Sequence, residues 1–155
     1  MVAIACVALA SCAAPDKSPA PGAAPATSWS GRLSVRVEGD QTQSFFAAFE
    51  LNGNASSGEL RVFSPFGATL ARLTWSAGSA RLLAQGRDES FASIAELTRS
   101  VTGTELPVAS LFRWLVGEGA AEGGWAADLS QLAQGKIDAH RLDPQPAVHL
   151  RLLLD

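Results

Sequence analysis

The strongest constraint on this chain is a hydrophobic alternation of period two that recurs through its first half without helical interruption. Leu33, Val35 and Val37 alternate with Arg32, Ser34, Arg36 and Glu38, the pattern of a strand with one dry and one wet face. Phe45, Ala47, Phe49 and Leu51 repeat it, with Phe46 and Ala48 making the opposite face apolar too. Asn52-Gly53-Asn54 supplies a turn, and further strands are expected over 59–63, 70–75 and, past a turn at Ala77-Gly78, 80–85. Strands that follow one another with no helix between them pair antiparallel.

The period then changes. Ser93 and Glu96 form a capping box, Ile94, Leu97 and Val101 follow at helical spacing, and Gly103 stops the run. Pro107 suits the first position of a second helix. Val108, Leu111 and Leu115 line one of its faces, Phe112 and Val116 another beside Trp114, and Gly117 closes it. A helix apolar around so much of its circumference needs cover on more than one side. Strand patterns return at 125–129, 136–142 and 148–154, and in the last Val148, Leu150, Leu152 and Leu154 share a face. The expected fold is therefore mostly β with some α, a curved antiparallel sheet around apolar helices. Helices that fill the concavity make an ordinary core; helices that only cap it leave a hydrophobic cavity. The alternation leaves both open, and its faces put Leu33, Phe49, Leu60, Leu111 and Leu115 on the inner surface.

The amino terminus has a different logic. Residues 1–10 are a compact apolar stretch ending in small residues, the form of a secretory signal, and are too short for the ~20 residues of a spanning helix. The stretch runs into Leu9-Ala10-Ser11-Cys12, which resembles the bacterial lipobox, where small residues expose the backbone before a cysteine that is acylated and becomes the first mature residue. The reading is thus a signal peptide over 1–11 and lipid attachment at Cys12. Each buried methylene contributes ~0.8 kcal/mol, so two or more chains give stable attachment. Ala13, where inner-membrane bacterial lipoproteins carry Asp, points to the outer membrane. Residues 13–28 hold six Ala and four Pro in sixteen residues, which cannot form a core. This tether, counted from Cys12 to Ser28, leads to one domain over 29–155.

Composition then removes whole function classes. The 12 Lys and Arg against 15 Asp and Glu are spread singly, so no basic stripe exists to hold phosphates and no nucleic-acid partner is expected. The two cysteines, Cys6 and Cys12, precede the domain and cannot staple it. His140 and His149 lie in C-terminal strand patterns and read as surface-facing, while Glu38, Glu50 and Glu59 read as solvated strand residues. No G-x-S-x-G occurs, and no His, Cys or carboxylate cluster has metal-ligand spacing, so neither an enzyme, a metal nor a cofactor is expected. Gly135-Lys136 lacks the upstream glycine of a phosphate-binding loop.

One turn is out of character. Ser64-Pro65-Phe66-Gly67 has the residue preferences of a type I turn, with Ser first, Pro second and Gly fourth. That sets the large apolar Phe66 at a tip where polar residues are usual. It either contacts a membrane or partner, or folds back on Phe63 or Leu70.

These pieces occur in a familiar order: Trp29-Ser30-Gly31-Arg32-Leu33, the run 45–51, Gly58-Glu59-Leu60, the run 64–71, Thr102 to Val108, Leu111 to Gly117, Gly124-Trp125 and the closing 150–155. Together they resemble the outer-membrane lipoprotein receptor family LolB over essentially the whole domain. The resemblance implies an unclosed antiparallel β-barrel with a helical lid over an apolar cavity. It implies a monomeric receptor, lipid-anchored through Cys12 on the periplasmic face of the outer membrane. Such receptors accept acylated lipoproteins from a periplasmic carrier, LolA, and insert them into outer-membrane lipid. It also implies that the loop of Pro65, Phe66 and Gly67 is the membrane-insertion loop, with Phe66 where relatives commonly carry Leu. With no energy source encoded, transfer runs downhill from carrier to receptor to bilayer. The competing readings are an outer-membrane lipoprotein that holds a free lipid or peptide in its groove, and a structural assembly scaffold with a filled core and a flat interface.

Overall fold

The computed structural model describes residues 27–39 and 43–155; the signal stretch, Cys12 and the tether up to residue 26 lie outside them. Nine strands form a single antiparallel sheet. They are β1 (Ser28–Val37), β2 (Gln43–Gly53), β3 (Gly58–Phe63), β4 (Thr69–Ser76), β5 (Ser79–Ala84), β6 (Arg87–Phe91), β7 (Trp125–Asp128), β8 (Lys136–Arg141) and β9 (Val148–Leu154). Their order in space is β6-β5-β4-β3-β2-β1-β9-β8-β7. β1 and β9 pair inside the sheet through partners such as Leu33 with Leu152, joining the first and last strands of the described residues. β6 and β7 remain unjoined edges, and the sheet curves without closing into a barrel.

Two helices cross the concave side, α1 (Ile94–Thr102) and α2 (Val108–Leu115). The capping box forms as its chemistry requires: Glu96 N–H donates to Ser93 Oγ at 3.1 Å, and Ala92 N–H donates to the Glu96 carboxylate at 2.9 Å. Gly103 ends α1 at φ 73°, a left-handed position that glycine adopts without strain. Ser93→Ala is expected to lower global stability by ~1 kcal/mol, with denaturant midpoints falling and the unfolding slope unchanged. A slope change would mean that the helix is not part of the cooperative unit. Pro107 lies one residue earlier than expected, as the cap before α2 rather than inside it.

The sequence reading missed β6. Its residues Arg87-Asp88-Glu89-Ser90-Phe91 carry no alternating apolar set, because an edge strand with a mostly wet surface has little to bury. Backbone pairing with β5 holds it, and Arg81 donates two hydrogen bonds to Asp88 across the two strands.

The core fills only part of the concavity. Trp114 is fully buried, donates Nε1–H to Ala120 O at 2.9 Å, and packs 6.3 Å from Trp125. Phe112, on the same helix, meets Trp29 at 5.6 Å and Trp75 at 6.2 Å. These aromatic contacts fix α2 across one end of the sheet. Arg141 is buried beside them, lies 5.8 Å over the Trp125 ring and donates to Thr104 Oγ1 at 2.6 Å. Thr104 belongs to the link between the helices, so β8 tethers the lid at its midpoint.

Candidate functional site: an apolar cavity and an exposed loop tip

Beyond the aromatic core, the helices do not reach the floor of the sheet. A cavity of about 480 Å³ remains between them and β1–β5 plus β9. Small side chains make the room: Ala71 and Ala84, cross-strand neighbours on β4 and β5, present only methyl groups to it. Among the described residues that line it there is no charged side chain. The polar ones are neutral: Gln43, Ser44, Gln85, Thr98 and Thr102. Thr98 already donates its hydroxyl to Ala95 O and accepts from Leu106 N–H, and Thr102 donates to Thr98 O and Thr104 O. With those hydroxyls satisfied inside the lid, the chamber has little to offer a polar guest.

Four of the five inner-face residues read from the sequence come together here. Leu33, Phe49 and Leu60 form the sheet wall, and Leu111 projects from α2 opposite them. Leu115 does not line the cavity. It lies one helical turn beyond Leu111, buried in the core cluster. Residues four apart on a helix share a face yet differ in depth by about 6 Å, and here that step crosses from chamber to packed core. The reading also passed over Val35, Val62, Leu73 and Leu152, which line the chamber too. Their signal was present in the same alternation that selected Leu33.

The strands that wall the cavity keep their ion pairs on the convex face, while the buried Arg141 lies under the lid and outside the cavity lining. Glu50 pairs with Arg61 at 3.1 Å, and Glu59 pairs with Arg61 at 3.1 Å and also takes hydrogen bonds from Arg72. Glu38 meets His149 at 3.6 Å, and His140 and His149 are both exposed. The hydrogen bonds from Arg81 hold the Asp88 carboxyl below its ordinary range. Burial pushes Asp138 the other way, and bonds from Arg151 and Lys136 outweigh it, leaving that carboxyl low as well.

The Ser64–Gly67 turn closes as its residues require. Gly67 N–H donates to Ser64 O at 2.9 Å, Ala68 N–H donates to Ser64 Oγ at 3.2 Å, and Gly67 takes φ 81°. Phe66 is 97% exposed, so it packs against neither Phe63 nor Leu70. Leaving a phenyl ring in water forgoes ~1.5–3 kcal/mol that burial would contribute.

Residues 26–144 match the family model described as Outer membrane lipoprotein LolB. An outer-membrane lipoprotein LolB of Chromobacterium violaceum is 29% identical over 126 residues, which is 81% of this chain. The chain spans 63% of that relative's length.

Proposed function

The chain belongs to the LolB family of outer-membrane lipoproteins, and we propose that it is the receptor that takes acylated lipoproteins from a soluble periplasmic carrier of the LolA type and delivers them into the outer membrane. The observation that carries this reading is an uncharged cavity of about 480 Å³ opening at the same end of the sheet as the exposed Phe66. An apolar cavity of ~150 Å³ takes one benzene. On that scale the chamber has room for roughly eighteen carbons, about one saturated fatty chain.

The mechanism follows from solvation. An acyl chain in water is unfavourable by on the order of 10 kcal/mol at ~0.8 kcal/mol per methylene. A chain therefore moves only between apolar hosts held in contact, and it moves toward the better one. The walls of Leu33, Phe49, Leu60 and Leu111 supply the intermediate host, and the bilayer supplies the final one. Pro65 and Gly67 shape the turn that holds Phe66 away from the domain, where it enters the lipid surface. Cys12 carries the acyl anchor that keeps the monomeric receptor on the periplasmic face, and residues 13–28 give it reach. The arrangement requires no bound cofactor.

The test mixes the purified acylated protein with an equimolar carrier–lipoprotein complex, without nucleotide, and measures which protein holds the cargo. Most cargo is expected on this chain, and then in vesicles once these are added. Cargo retained by the carrier would refute the receptor role.

A further inference from the structure

We propose that the bilayer contact extends past the loop tip to a rim at the neighbouring end of β2, with Phe46 on the convex face and Phe45 and Leu70 at the cavity mouth seated together on outer-membrane lipid. This rests on the receptor reading and adds a second contact element to it.

Four exposed large apolar side chains gather at one place: Phe45 (44% exposed), Phe46 (59%), Phe66 (97%) and Leu70 (36%) lie at the end of the sheet where β1 finishes, β2 begins, β3 finishes and β4 begins. The other exposed ones among the described residues, Leu83, Val101, Val116 and Leu142, include no aromatic ring. The register explains their proximity. The last pair between β2 and β3 is Ala48 with Phe63, so the first residues of β2 run on past β3 alongside the Ser64–Gly67 turn. Phe45 and Phe46 are consecutive on a strand and therefore project to opposite faces. One borders the cavity; the other stands outside, on the face that also carries the Glu50–Arg61 ion pair. A folded domain has no internal use for an aromatic residue on its wet face.

Three features identify lipid as the occupant. First, Phe45 and Leu70 are both lining residues of the cavity and partly exposed, so the mouth opens within the rim itself. A chain leaving the chamber passes directly into whatever the rim touches. Second, Arg36 and Arg87 are exposed at this same end and make no ion pair among the described residues. Cations flanking apolar tips match an interface of anionic headgroups over acyl chains. Third, the chain enters the domain at the far end of β1. Ten residues at ~3.3 Å put the entry point about 33 Å from the rim. The fourteen residues 13–26 that precede it could span at most roughly 43 Å, enough for a domain anchored at Cys12 to set its distal end on the bilayer that holds the anchor.

A tryptophan added to the four native ones, with the unsubstituted chain's emission subtracted as the baseline, reads the geometry. Phe46→Trp, Phe66→Trp and Val116→Trp are made in the full acylated chain and reconstituted in phosphatidylethanolamine–phosphatidylglycerol vesicles with or without brominated acyl chains. Val116 is exposed but lies after α2, away from the rim. The new tryptophan at 46 is expected to shift to the blue and to lose emission to the brominated lipid, as at 66, with position 116 unaffected. Quenching at 66 without quenching at 46 overturns the rim while leaving the loop's role intact. Loss of quenching at both positions removes the loop's role as well. Equal quenching at all three would indicate non-specific adsorption and overturns the rim.

Discussion

A Phe66→Glu chain is expected to load normally from the carrier and then to stall, holding cargo that the wild type releases into vesicles. The tip touches neither cavity nor core, with Phe66 97% exposed and the turn held by backbone and Ser64 hydrogen bonds. Folding and uptake should therefore be unchanged. At the membrane two effects add. The phenyl ring's ~1.5–3 kcal/mol of burial is lost, and a carboxylate brought into the apolar layer costs up to ~2.5–3.5 kcal/mol. Together they come to about 4–6.5 kcal/mol, a fall in release rate of roughly three to four and a half orders of magnitude at about 1.4 kcal/mol per tenfold. Release at the wild-type rate would remove the tip from the mechanism, and failure to load would place it at the carrier interface instead.

The second large effect comes from filling the chamber. Ala71 and Ala84 face each other across β4 and β5 and line its wall. Replacing both with Phe introduces two rings, each needing about the ~150 Å³ that a benzene occupies, against a cavity of about 480 Å³. The remaining space holds well under half a fatty chain. Affinity for a fluorescent fatty-acid probe is expected to fall at least about a hundredfold, since each excluded methylene forgoes ~0.8 kcal/mol. The melting temperature should hold or rise, because apolar surface is being covered rather than exposed. A well-folded double variant that binds the probe like wild type would mean the chains lie somewhere other than this cavity.

How far the sequence announced this molecule depends on what each residue has to bury. The central strands were legible because β1, β2 and β9 each carry a continuous apolar row along one face, set in β1 against a fully wet one, and their pairing around Leu33 follows from that row. β6 was not legible. At the sheet's edge its stability comes from main-chain pairing to β5, which leaves no hydrophobic signature. The helices were legible in their caps and faces, but a helical wheel carries no depth. Leu111 and Leu115 look equivalent on it, while one lines the cavity and the other is buried in the core. Whether the concavity was filled could not be read either. It depends on how far the sheet curves away from α1 and α2, a mismatch between two layers that are far apart in the chain. The exposure of Phe66 was half legible: the Ser64–Gly67 chemistry specified the bend, and only the structure settled between its two directions.

The uncharged lining of the chamber has a consequence for clientele under the proposed receptor role. With no ionic group on its walls, the chamber would not tell one passenger's polypeptide from another's; it would register only the length and girth of an alkyl tail. A receptor of that kind would serve any protein bearing the same fatty modification, and discrimination among passengers would fall to whatever precedes it in the relay.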